Sequence, residues 1–277
     1  MGNTRPPLDV LGRDLLVLPR WRVALSLASP FALFGVFIVA AATEHWFLAA
    51  VSVAILSFVT YGSVSHDLVH RSLGLPRGLN DALLSVIEML LFRSGRAYRL
   101  AHLNHHARYP NPDEDPESAA AHGSLVSALA SGWQFFPRLW WWAYRRYPSH
   151  RRRLAFEGAL ILALAASAIG VAIAGITNVL LLYLLLAYAG TWIVPLATAY
   201  IPHRPSGDGE LFQTKRFRGL ALRCFAFEHL YHLEHHLYPA VPHHHWPELS
   251  RRLDPILDAA GVPIVRLIPK SSPDAAA

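Results

Sequence analysis

Cysteine is all but missing: Cys224 stands alone in 277 residues. No disulfide framework, cysteine-ligated zinc site or iron–sulfur cluster can form within the chain. Charge is scarce too, at 16%, where soluble domains carry about 25%. Hydrophobic residues make up 53% and the mean hydropathy is +0.28, a composition too apolar for a chain that must face water on all sides. Charged residues vanish altogether from residues 23–42, 46–65, 158–176 and 179–201. A bilayer core of about 30 Å takes about 20 apolar residues in a helix, so each stretch is read as a membrane span. The metallopeptidase patterns HExxH and HxxEH are absent, and no GxGxxG follows a predicted strand to bind a nicotinamide.

Few residues separate the first two spans or the last two, which leaves room only for tight turns. The expected architecture is therefore an all-α integral membrane domain over residues 1–277, with four transmembrane helices in two hairpins. Residues 1–22, 66–157 and 202–277 then lie together on one side and form a helical cap. These segments carry all 25 lysines and arginines, the distribution expected of cytoplasmic segments. The basic excess is thus assigned to topology and lipid headgroups, with no nucleic-acid partner. Arg20 and Arg22 precede an apolar run too long for a cleaved leader, so this run is read as a span. Pro30 and Pro195 are tolerable inside spans where neighbours satisfy the freed carbonyls. Residues 82–92 form an apolar stretch that is short and carries Glu88, so it should lie in the interface or pack against the spans. The aromatic residues Trp133, Phe135, Phe136 and Trp140 to Trp142, beside Arg138, Arg145 and Arg146, suit a helix at headgroup depth.

Sixteen histidines are the compositional anomaly. His66 and His70 are four apart where the second span ends. His102, His105 and His106 form HxxHH, and His232, His235 and His236 repeat it, setting three rings on one helical face twice over. His203 stands two residues beyond the last span and 29 before His232, much as His66 precedes His102 by 36. Imidazoles crowded in this way are costly without a shared cation. The nine are read as metal ligands. They exceed what one zinc needs, so two metals are expected. Imidazole suits iron, and an iron pair with open positions can activate dioxygen, whereas a zinc pair would point to hydrolysis. His229, on the face of His232, is read as supporting a ligand rather than as a tenth one. Asp67, Asp113, Asp115 and Glu234 could accept imidazole N–H bonds or simply be solvated. His243 to His245 follow Pro242 and are expected to be an exposed turn.

The stretches HDLVH (66–70), HLNHH (102–106) followed by DEDP (113–116), and YHLEHHLYP (231–239) together resemble the membrane fatty acid desaturase superfamily. That superfamily includes acyl desaturases, lipid hydroxylases, and carotenoid ketolases and hydroxylases. The resemblance covers roughly residues 45–250. It implies that three histidine boxes plus the lone His203 bind two irons at the cytoplasmic end of a four-span bundle. It also implies oxidation of a lipid C–H bond by dioxygen, by desaturation or hydroxylation. The third box is close to that of lipid desaturases. IPHRP (201–205), around His203, is similar to carotenoid ketolases, so a carotenoid ketolase or hydroxylase is the alternative. No HPGG marks a fused cytochrome b5 module, and electrons are expected from a separate ferredoxin or reductase. A histidine-lined metal transporter and a zinc-dependent membrane hydrolase are the more distant readings.

Overall fold

The computed structural model describes residues 5–219 and 225–267; Cys224 lies outside them. A short helix α1 (Leu8–Leu11) precedes α2 (Arg20–Ala42). A turn at residues 43–45 leads to α3 (Trp46–Val59), which runs through a π-helical turn at Thr60–Val64 into α4 (Ser65–His70). Then come α5 (Arg77–Met89), α6 (Gly95–Arg108), α7 (Leu125–Ala130) and α8 (Phe135–Arg146). After them run α9 (Arg151–Ile173) and α10 (Val179–Thr191), the latter leading to a second π-helical turn at Leu196–Tyr200. Four helical stretches are long and apolar enough to cross a membrane: Arg13–Ala42, Trp46–His70, Pro148–Ile173 and Val179–Tyr200. Only 22% of the first window and 11% of the third are buried, so their apolar side chains point outward, as a helix in lipid requires and a soluble helix cannot tolerate. Here α2 packs along α3, and α10 packs against both α3 and α9.

The second and fourth of these stretches widen near one end. In the first π-helical turn the N–H of Ser65 donates to the carbonyl of Thr60, five residues back, and in the second Ile201 does the same to Leu196. Pro195 stands at the start of the second turn, where its missing N–H removes one α-helical bond. An extra residue in such a turn rotates the next stretch of helix about its axis, and these turns occur often at functional sites. The helix therefore continues through His70 instead of ending at the edge of the apolar run.

Beyond the spans the chain builds a water-type core. In α12 (Trp246–Ala259), Trp246, Leu249, Leu253 and Leu257 recur at helical spacing and are buried with Leu233 and Leu237 of α11 (His232–Leu237) and with Leu11 and Leu15 near the N-terminus. The expected all-α class needs one correction. Strand β1 (Arg216–Arg218) pairs in parallel with β2 (Ile264–Arg266), and the intervening chain supplies the long connection that parallel pairing demands. Arg216 is fully buried there, with Nη2 2.7 Å from Asp254 Oδ1 and Nη1 2.7 Å from Asp258 Oδ1. The charged alternation of three residues gave no strand signal, since burial of Arg216 depends on carboxylates about forty residues away. Residues 82–92 belong mostly to α5, packed against α4 and α6 with Glu88 buried.

Candidate metal centre

The nine histidines read as ligands all converge, and they do so in two groups. His66, His70, His102, His106 and His235 place one ligand atom each within 4.8 Å of one another, and so do His105, His203, His232 and His236. The grouping has a regularity that spacing alone does not expose. Each HxxHH helix gives its first and last histidine to one group, and its middle histidine, His105 or His235, crosses to the other. The two groups thus share both helices, so neither α6 nor α11 can shift without moving both centres.

The nitrogens that meet are Nε2 throughout. His66 and His102 approach to 2.9 Å, His102 and His106 to 3.2 Å, and His106 and His235 to 2.7 Å. In the second group the separations are 3.0 Å for His105 and His203, 3.1 Å for His203 and His232, and 3.0 Å for His232 and His236. One of these contacts, His105 with His203, cannot be a hydrogen bond between neutral rings. The Nδ1–H of His203 donates to the carbonyl of Ala199 at 2.8 Å and that of His105 to Asp115 at 2.6 Å. In a neutral ring this assigns both Nε2 atoms as bare lone pairs facing each other. Burial and the neighbouring imidazoles push His102, His106, His203, His232, His235 and His236 well below the usual histidine range, so none of these six relieves its contacts by taking up a proton. A cation does. Donors at right angles and about 2.1 Å from one ion lie about 3.0 Å apart, which is the spacing observed. The Nε2 of His70 is buried with no hydrogen-bond partner, as a ligand nitrogen would be.

Around the rings stand carboxylates, and only some are those expected. Asp115 holds His105 as above, whereas exposed Asp113 touches no imidazole and bonds through its backbone to Asn111. The partner of His102 is Glu117, whose Oε2 is 2.9 Å from Nδ1. It lies just past the DEDP stretch, and an acidic residue so near the two aspartates was the signal that could have found it. Glu234 instead pairs with Arg218 at 2.7 Å, drawn away from the rings by the cation beside it. Asp67 accepts an imidazole N–H, but from His243, at 2.6 Å, together with the backbone N–H of His243 at 3.0 Å. The exposed turn expected at His243 to His245 is therefore overturned. His243 is buried on Asp67, His244 meets Ser26 Oγ at 2.7 Å, and His245 Nδ1 donates to the carbonyl of Leu15 at 2.9 Å. The triplet fastens the cap to α2 and to the N-terminal segment, because each ring found a polar group on a neighbouring element. His229 falls in neither group.

Second partners of ligand rings fix their tautomer and aim, and their loss typically costs 10–100-fold in metal affinity. Glu117→Ala should accordingly release metal about 10–100-fold more readily in a chelator competition. Asp113→Ala should match the unaltered protein; equal release by both variants would remove Glu117 from the site.

Two small cavities of about 20 Å3 each adjoin the rings. One touches His66, His102, His105, His203 and His232. The other runs between α3 and α10 past Ser57 and Gly190, and the two share Tyr61, Gly62, Thr198 and His229. Both π-helical turns line these cavities, the first cavity beside the imidazoles and the second between α3 and α10.

No curated protein matches the chain. The family described as fatty acid desaturase matches residues 44–267, which contain every one of the converging histidines. With four apolar helices of spanning length and two groups of buried imidazoles, the chain is a membrane protein and an enzyme of oxidoreductase type, and it belongs to the fatty acid desaturase family.

Proposed function

We propose that the protein is a dioxygen-dependent, non-haem di-iron enzyme that desaturates or hydroxylates an unactivated C–H position of a membrane lipid. The observation that carries this reading is the pairing of two imidazole groups, five and four strong, whose Nε2 atoms are spaced for cations and whose helices are shared. Bound iron would supply the oxidation of C–H by dioxygen with two electrons from outside the chain. Desaturation removes two hydrogens and, with two electrons and two protons, reduces dioxygen to two waters; hydroxylation leaves one oxygen on carbon and releases one water. The nine histidines hold the metals, and Asp115, Glu117 and the Ala199 carbonyl keep the Nε2 lone pairs of His105, His102 and His203 turned inward. Tyr61, Gly62 and Thr198 would pass the lipid chain from the spans to the rings and exclude water from the oxidant. The electrons are taken to come from a separate ferredoxin or reductase. The spans are taken to cross as two hairpins with both termini and the metal centre in the cytoplasm, on the strength of the basic residues confined to those segments.

The alternative of a carotenoid rests on the Pro-His-Arg-Pro setting of His203. Expression in hosts that make fatty acyl lipids alone or with carotenoids, with mass spectrometry of the extract, separates the two. The expected result is an acyl product altered by loss of two hydrogens or gain of one oxygen, from protein holding two irons per chain. Stoichiometric zinc without iron, and no altered lipid, would overturn the reading in favour of a hydrolase.

Close packing gives a further expectation. A β-carbon on Gly190 would lie 2.5 Å from Ser57 Oγ, at the contact of α10 with α3. Gly190→Val should therefore force the two helices apart, destabilise the protein by about 1–3 kcal/mol, and lower iron content and turnover together. Unchanged stability and iron content in Gly190→Val would show that this contact does not support the metal site.

A further inference from the structure

A second feature lies away from the imidazoles, where α9 stands partly clear of the bundle. An apolar groove of about 590 Å3 runs along it, floored by Phe34 and Tyr183 and walled by Leu160 and Leu164, with Ser85, Arg153 and Glu157 at its head. From Arg153 to Ala168 the groove follows α9 for about 22 Å, more than the roughly 15 Å that one leaflet's chains occupy. It shares no lining residue with the cavities beside the histidines.

The groove's charged lining is the pair Arg153 and Glu157, and the cluster behind it, around Asp81, carries more positive than negative charge. Arg71 grips Asp81 through both carboxylate oxygens, at 3.0 and 2.8 Å from Nη2, and Arg96 Nη1 lies 3.7 Å from the same group. Arg153 donates to the Asp81 carbonyl, to Ser85 Oγ and to Glu157 Oε1. Arg99 binds the carbonyls of Leu68 and Val69 and faces Arg71 and Arg96. Four guanidiniums thus surround two carboxylates. Glu157 is already engaged by Ser85, Ser94 and the Arg96 N–H, so its capacity is spent. Burial first, and then the neighbouring arginines, push Arg99 down to about 10 and Arg96 below its usual range. Arg153 is 41% exposed and sits at the end of the apolar run of α9, at headgroup depth for a spanning helix.

We infer that this groove holds an anionic phospholipid of the bilayer, its phosphate at Arg153, with the arginine cluster around Asp81 close behind, and one acyl chain along α9. The lipid would fill the gap between α9 and the α5 and α10 side chains and balance the surplus charge. Because the site is separate from the metal centre, it can be tested without turnover.

The test is native mass spectrometry of the purified full chain, stripped of lipid and re-equilibrated with phosphatidylglycerol or phosphatidylcholine. Retention of phosphatidylglycerol should exceed that of phosphatidylcholine by about fivefold, the order that one arginine near an anionic headgroup contributes. Arg153→Gln should reduce the preference several-fold, and Leu164→Trp, which fills the groove, should lose both lipids. Leu185→Trp, on an exposed part of α10 outside the groove, should retain phosphatidylglycerol. Inorganic phosphate at millimolar concentration should fail to displace the lipid, whose chain it cannot replace. Equal retention of the two lipids by the unaltered chain, or equal loss in Leu164→Trp and Leu185→Trp, would overturn the assignment.

Discussion

Replacing His203 with alanine is expected to abolish turnover, by more than about 100-fold, and to reduce iron from about two to about one per chain. The second imidazole group has four members, against five in the first, so it has less to lose. His203 is also its hub: its Nε2 lies 3.0 Å from that of His105, 3.1 Å from that of His232 and 3.2 Å from that of His236. Removing it takes away one ligand and leaves three, His105, His232 and His236, too few to fill the site as the first group's five can. Membrane insertion should be unaffected, since the spans are unchanged. The comparison needs a histidine with no such role. His245 looks suitable from its place in the chain, but it is bonded to Leu15 and would carry a folding cost of its own. Exposed His45, in the turn between α2 and α3, is the better control, and His45→Ala should keep full activity. Full iron loading and near-normal activity in His203→Ala would leave the eight box histidines to hold the metals alone.

The spans and the converging histidines can be found without coordinates because both are written in local terms. Twenty uncharged residues are apolar in any fold, and i, i+3, i+4 spacing puts three rings on one side of a helix wherever it sits. His203 stands out by its distance from a span end, which is also local. Sequence spacing does not supply pairing across the fold. The crossing of His105 and His235 depends on how α6 and α11 meet, and nothing within either HxxHH tells its middle residue from the others. Asp67 and Glu234 are plausible ring partners by position, yet His243 and Arg218, brought in from distant segments, take them instead. Glu117 is hidden by the neighbouring aspartates, which look equally apt, because only the turn after α6 decides which carboxylates face inward. The same limit hides β1 and β2, whose arginines Arg216 and Arg218 are held by carboxylates of α12.

Glu88 illustrates how a conspicuous residue can be legible while its partner is not, and it leads to the largest expected loss of stability. A carboxylate within an apolar stretch had to be paired or exposed. It is fully buried, with Oε2 2.8 Å from Arg93 Nε, five residues on, and Arg93 is itself 1% exposed with its guanidinium 4.7 Å from the ring centre of Phe136. Arg93 also donates from Nη2 to Thr60 Oγ1 at 2.7 Å, and Tyr98 donates to the carbonyl of Tyr61 at 2.9 Å. These two bonds hold the π-helical turn that aims His66 and His70 at the first metal group. Arg93→Met should therefore destabilise the protein by about 3–5 kcal/mol, because it strands Glu88 as an unpaired buried charge. The double change Glu88→Gln/Arg93→Met should recover a large part of that loss, since the stranded charge is gone. Iron retention should not recover to the same extent, because the bond to Thr60 remains broken and the turn remains free to rotate. Unfolding transitions in detergent, followed alongside iron content, read the two effects separately. If Arg93→Met unfolds like the unaltered chain and keeps both irons, neither the ion pair nor the bond to Thr60 supports the turn.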